Sequence, residues 1–344
     1  MKKSFFDFFP VPKFLEMPSV GISISDTNLR MIELLKNSSG FKLGKFAEKE
    51  IPMGVVNSGY VNNKDRLVSI LSELKKEYKL NFIKATLPED KAYLFKTKIP
   101  IVENDEIRSS VEFKIEENVP LSLSESIFDY DVIKGNKGDD FITVNVSVLS
   151  SKVVQTYLDI FKSAGLSVLS FDTESRSISR AVIKFGDERT YLILNLDKSK
   201  VGFYIVSQGI IQFSSMLNVK IETLLPDYDA KNLSAPQSAN TSIYIKSGAS
   251  ESNSLLKEEI SKIFTYWHSH NDGSANSKIE KIIICGEPKY ADYLNKELPV
   301  GFDAVFETAN VWVNAFPADK PIPGISFEES LKFGAAIGVA FPNI

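Results

Sequence analysis

Val20-Gly21-Ile22-Ser23-Ile24-Ser25 opens three short apolar stretches separated by turn residues. Asp26-Thr27-Asn28 divides it from Leu29-Arg30-Met31-Ile32-Glu33-Leu34-Leu35, and Asn37-Ser38-Ser39-Gly40 divides that stretch from Phe41–Phe46. Runs of this length joined by Asp, Asn, Ser and Gly predict an antiparallel meander. Leu67, Ile70, Leu71, Leu74 and Tyr78 then recur at helical spacing, ahead of predicted strands Phe82–Thr86 and Ala92–Ile99. The grammar returns about 170 positions later: Tyr191–Leu196, a turn at Asp197-Lys198-Ser199, Val201–Val206, a turn at Ser207-Gln208-Gly209, and Ile210–Ser214. A helical stretch ending near Trp267, the strand Ile282–Cys285, a short helix from Lys289 and an apolar helix over Phe327–Ala340 complete it. Such a repeat is an internal duplication and predicts two α/β halves facing a cleft.

An insert separates the halves. Its helix carries Ile107, Val111 and Ile115 on one face and stops before Pro120; strands over Ile127–Ile133 and Phe141–Leu149 follow. A helix with Val153, Val154, Tyr157, Leu158, Phe161 and Ala164 leads back, with Gly165 as its left-handed cap and Gly186 in that role for the helix after Asp172. The chain therefore divides into an aromatic tail (1–18), a first half (19–99), the insert (100–150), a return to the first half with interdomain helices (151–186), a second half (187–325) and a C-terminal helix packing back between the halves (326–344). The stretch near 218–255, Ser- and Asn-rich over Leu233–Ser254, is expected to be a mobile subdomain or long loop.

Composition narrows the function classes. The 344 residues are 43% hydrophobic and 24% charged with a net charge of −4, which excludes a disordered chain and any global attraction to nucleic acid or anionic lipid. No apolar run reaches the ~20 residues that span a bilayer. A secretory signal is not expected, because Met1–Pro10 lacks a long apolar core and a cleavage site. Phe5, Phe6, Phe8 and Phe9 either touch a membrane surface or partner, or pack back on the body. The single cysteine, Cys285, ends an apolar strand and reads as an inert core thiol in a reducing compartment. His268 and His270 diverge on a helix, so they read as surface residues rather than metal ligands. Gly-x-x-x-x-Gly-Lys and Gly-x-Ser-x-Gly motifs are absent from the sequence.

The duplicated meander with an interposed small α+β unit resembles the actin-like, ribonuclease H-like duplicated ATPase fold, and within it the PilM family of type IV pilus assembly, related to the division protein FtsA. The resemblance rests on Val20–Ser25 at the first phosphate loop and on Ile107-Arg108 through Glu112 to Asn118-Val119-Pro120-Leu121. It continues in Ser124–Val132, Ala164-Gly165-Leu166, Phe171–Ser175 with Arg180-Ala181, Glu259-Ile260, Gly286 and Phe333–Gly338.

The resemblance implies a nucleotide cleft at Ser23, Ser25, Asp26, Thr27, Asn195, Asp197 and Gly286, holding ATP or ADP with Mg weakly or not at all. Actin-like loops use Asp-Ile-Gly, so that a carboxylate holds the Mg²⁺ shell while glycine admits the phosphates. Here Ser23 and Ser25 stand in the first loop and Asn195-Leu196-Asp197 in the second. Asn195 brings no charge to a metal. Asp197 would face phosphate oxygens, at a cost of about 4 kcal/mol at ~4 Å and an effective dielectric of ~20. Asp26 either replaces a lost carboxylate or makes an Asx turn. Hydrolysis is therefore expected to be lost. The family further implies a cytoplasmic adaptor at the inner face of the membrane, capturing the N-terminal peptide of a PilN-like protein among other pilus components. The expected receptor is the groove between the first half and the insert, around Arg108, Glu112, Ile115 and Pro120, where an extended peptide would pair with a strand edge. The alternative is an active ATPase or an FtsA-like filament former.

Overall fold

A computed structural model describes residues 19–37, 40–133, 140–224, 249–271, 278–299, 301–316 and 324–342. The aromatic tail and residues 225–248 lie outside this set. The predicted meander is present as β1 (Ser19–Ile24), β2 (Asn28–Asn37) and β3 (Gly40–Glu50), with Ile22 opposite Met31 and Ile32 opposite Phe46. A hairpin, β4 (Val56–Asn57) and β5 (Tyr60–Val61), leads into α1 (Lys64–Tyr78). Asn63 caps α1 by accepting from the Arg66 N–H, and Leu67, Ile70, Leu71 and Leu74 form the buried stripe that seats it on the sheet. β6 (Phe82–Leu87) then joins parallel to β1.

The insert is its own small layer pair. β7 (Ala92–Pro100), β8 (Ser126–Ile133) and β9 (Phe141–Ser150) form a sheet in the order β7-β9-β8, covered by α2 (Ile107–Asn118). Ile107, Val111 and Ile115 of α2 pack with Val144, Val146 and Val148 in a separate core. α3 (Ser151–Ser163) returns to the first half. At its end Leu166 N–H donates to Phe161 O and Gly165 N–H to Lys162 O, the Schellman pattern that the left-handed Gly165 permits. β10 (Ser167–Thr173) completes the first sheet beside β6, and α4 (Glu174–Val182) crosses to the second half.

There β11 (Tyr191–Asp197), β12 (Lys200–Ser207) and β13 (Ile210–Leu217) repeat the meander. After α5 (Ala249–Asn271), β14 (Lys281–Gly286) pairs parallel to β11; α6 (Pro288–Glu297) and β15 (Val305–Thr308) follow. Sheet orders are β3-β2-β1-β6-β10 and β13-β12-β11-β14-β15, the same meander with two parallel strands added at its first member. The duplication is therefore topological, and the fold is the actin-like pair of ribonuclease H-like halves. α7 (Phe327–Ser330) and α8 (Gly334–Ala340) bring the chain back between them.

Three sequence expectations change. The helix over Phe327–Ala340 is broken at Leu331–Phe333 by a 3₁₀ turn, which directs Lys332 to Glu48 and sets Phe333 edge-on to Phe46. Gly186 has φ +82 but does not cap α4, which ends at Val182 with Ile183 extended; the glycine serves the next turn. Of the stretch expected to be loop-like, residues from Ala249 onward belong to α5 and Ile221–Leu224 form a 3₁₀ turn.

Candidate functional site

The β1–β2 and β11–β12 turns face each other between the halves, and Ser23, Ser25, Asn195 and Asp197 line one cavity there, as their motif positions imply. The cavity measures about 20 Å³, also bordered by Thr86 and Glu174. That is room for about one water, whereas small-molecule sites run to roughly 300–1,000 Å³. Ser25 Oγ accepts from the N–H groups of Thr27 and Asn28, so serine makes the turn chemistry expected of Asp26. Asp26 turns away: its carboxylate accepts from Ser58 N (2.9 Å) and Gly59 N (3.2 Å), tying β1 to the β4–β5 hairpin. Thr27 Oγ1 donates across the cleft to Asp197 Oδ1 at 3.4 Å. Asp197 is buried, and among the described residues its Oδ2 has no hydrogen-bond partner. Gly286 lies outside the cavity lining; a Cβ there would sit 2.1 Å from Leu196 O, so glycine lets β14 pass against β11.

The cleft is filled instead by charges that sequence reasoning missed. Arg30 Nε donates to Glu48 (2.8 Å) and its Nη2 to Glu287 of the second half (2.6 Å); Lys332 also pairs with Glu48. Lys200 of β12 is buried and pairs with Asp90 of the first half. Glu89 accepts from Ser214 Oγ (2.7 Å) and Ser175 N (2.9 Å), and Glu174 accepts from Asn195 Nδ2 (2.9 Å). These residues do not fit a Mg-nucleotide. A triphosphate would have to displace an ion-paired network, and the Asp197 carboxylate already lines the remaining space. Among the described residues no three His, Cys, Asp or Glu side chains are arranged to hold a metal.

Burial pushes the Glu174 carboxyl up to about 7; Lys200 pulls it down, while Asp197, Glu89 and Asp90 push it further up. Between about 4.5 and about 7 the folded chain retains a proton that the unfolded chain releases, so this group's contribution to stability falls as pH rises through that window. Glu174→Gln is therefore expected to flatten the dependence. In urea unfolding from pH 4.5 to 8, the wild type should lose stability relative to the variant as pH rises; a constant difference would refute the assignment.

A second feature lies between the first half and the insert. A groove of about 500 Å³ is bordered by Tyr60, Val61, Tyr93, Leu121, Lys152 and Val153. Tyr60 and Tyr93 are 59% and 40% exposed, and Lys91 Nζ sits 3.4 Å from the Tyr60 ring centroid. Tyr157 OH donates to Gly59 O, fixing the floor. Of the residues the motif suggested here, Pro120 is exposed next to the groove-lining Leu121. Ile115 is wholly buried in the insert core and has no surface to offer. Arg108 and Glu112 pair with each other at 3.8 Å, and Arg108 stacks on Phe128, outside the groove lining.

The histidines and cysteine take no part in either site. His270 stacks on Tyr266 near the end of α5, with His268 on the same helix, and Cys285 is fully buried, where burial pushes its thiol well up.

The chain is similar over its length to a structure of the PilM–PilN type IV pilus biogenesis complex, with a TM-score of 0.67, 17% identity, and 93% of this chain and 97% of that one covered. At that identity the likeness shows the fold alone. The ethanolamine utilization protein EutJ from Carboxydothermus hydrogenoformans matches at a TM-score of 0.49 and 11% identity, over 96% of this chain and 90% of that one. A Bacteroides thetaiotaomicron protein with an actin-like ATPase fold and unknown function matches at 0.42 and 10%, over 84% and 90%. No curated protein sequence matches. The family model for the type IV pilus assembly protein PilM matches residues 21–208, more than half of the chain and the whole stretch from the first phosphate loop through the insert to β12. The chain belongs to the PilM family of type IV pilus assembly proteins.

Proposed function

We propose that this protein is a scaffold of type IV pilus, or type II secretion-like, assembly that captures the short cytoplasmic peptide of a PilN-like inner-membrane protein, without hydrolysing ATP. It works in the cytoplasm, peripheral to the inner face of the membrane, and is held there by that partner or by the Phe-rich N-terminus. The observation carrying this reading is the groove between the first half and the insert, set against a cleft that is closed by ion pairs. Exposed tyrosines on fixed strands, with lysines at the rim, are the composition of a binding surface. β7, which carries Tyr93, pairs only with β9 among the described strands, so an extended peptide beside it can gain main-chain hydrogen bonds. In a related fold, PilM is found in complex with PilN. Among the described residues no helix is long and apolar enough to cross a membrane.

The test is binding of a fluorescent peptide covering the cytoplasmic N-terminus of the PilN-like inner-membrane protein of the same organism. Saturable binding is expected, with Tyr93→Ala weakening it at least tenfold and Arg108→Ala leaving it within twofold. Failure to bind at high micromolar concentration, or equal effects of both substitutions, would overturn the assignment.

A further inference from the structure

The ion pairs in the cleft connect elements from opposite halves. Lys200 begins β12 of the second half, and its partner Asp90 lies in the short 3₁₀ turn after β6 of the first. The Lys200 side chain is 4% exposed and pairs with Asp90, and the charges of Glu174 and Asp26 act on it at longer range. Burial alone would discharge such a group, but these carboxylates outweigh it and hold the pKa well above the ordinary lysine value, so the charge stays. Asp26 and Asp90 come from the first half and Glu174 from the helix that crosses between them. Without the lysine, Asp90, itself 10% exposed, would be left between the two halves without its ion-pair partner, which disfavours the closed arrangement.

We infer that Lys200 supplies from within the chain the positive charge that holds the two halves together, so that closure is built into the sequence instead of being conferred by a bound metal–nucleotide. Arg30, which lines the cavity, repeats the device by bridging Glu48 of the first half and Glu287 of the second. The cavity left between the turns of the two halves has room for about one water, as expected of a joint that closes on itself. The protein is then a fixed clamp whose peptide groove keeps one shape whatever the cellular nucleotide supply. This inference does not depend on which peptide is captured.

The test is a distance measurement between nitroxide labels on Arg66→Cys of α1 and Asp292→Cys of α6. Both sites are exposed, and the native Cys285 is buried and will not label. With Lys200 in place the expected result is one narrow distribution, unchanged by millimolar Mg-ATP. Lys200→Met, which keeps the stem and removes the charge, is expected to broaden the distribution toward longer distances. Asp90→Asn should do so to a smaller degree, because the lysine keeps its charge and the asparagine can still accept a hydrogen bond from it; it serves as the readout if Lys200→Met does not fold. A broad distribution in the wild-type background, narrowing with Mg-ATP, would overturn the inference, as would unchanged distributions in both variants.

Discussion

Arg30→Ala is expected to lower the free energy of unfolding by about 3 kcal/mol, the lower end of what removing one partner from a buried ion pair costs. The Arg30 side chain is 9% exposed and is the only described group joining Glu48 of β3 to Glu287 after β14. Removing it leaves Glu287, itself mostly buried, facing low-dielectric surroundings without a counter-charge. Glu48 keeps Lys332, and for that reason the loss should not reach the top of the range. Urea unfolding at neutral pH checks this. A loss below about 1 kcal/mol would place Arg30 among the surface pairs that contribute little.

Gly338→Ala should have a larger effect still, and Gly334→Ala in the same helix should have the opposite sign. A Cβ at Gly338 would lie 1.6 Å from Ser177 O, a backbone atom of α4, so the crossing of α4 and α8 would have to separate. Both helices link the two halves, and overpacking of a backbone contact costs about 3 kcal/mol or more. At Gly334 the nearest atom is 3.7 Å away and the backbone is helical, so a methyl group fits and the smaller backbone entropy of alanine adds up to about 1 kcal/mol of stability. Thermal melting of the two variants side by side gives the answer. Equal shifts would mean that the close approach of the two helices is not what positions the halves.

Much of the fold was legible because each meander strand is an apolar run bounded by Asp, Asn, Ser or Gly, and because the pattern occurs twice. Besides the short β4–β5 hairpin, the strands that went unread, β10 and β15, each lie at one edge of a large sheet. Leu169 is 38% and Val305 60% exposed, so neither strand needs the continuous apolar character that marks β11 or β12. The cleft residues Ser23, Ser25, Asn195 and Asp197 are named through the resemblance to the actin-like phosphate loops, whose places fall at the ends of β1 and β11. The network that occupies the cleft could not be found in this way, since Arg30 and Glu287 stand 257 positions apart and only the packed sheets bring them together. Of the motif residues near the groove, Pro120 lies beside the groove-lining Leu121, whereas Arg108 and Glu112 hold each other on α2 outside the groove lining. The phase of Ile115 with Ile107 and Val111 already marked it as core.

The proposed function has an ATPase fold kept for its shape, on the strength of the substituted loops and the cross-cleft ion pairs. Isothermal titration of Mg-ATP into the full chain at millimolar nucleotide tests this most directly. No saturable heat is expected, and no movement of the thermal midpoint under the same conditions. A one-to-one isotherm with a midpoint raised by several degrees, both lost when Ser25 is replaced by a bulky residue, would contradict it.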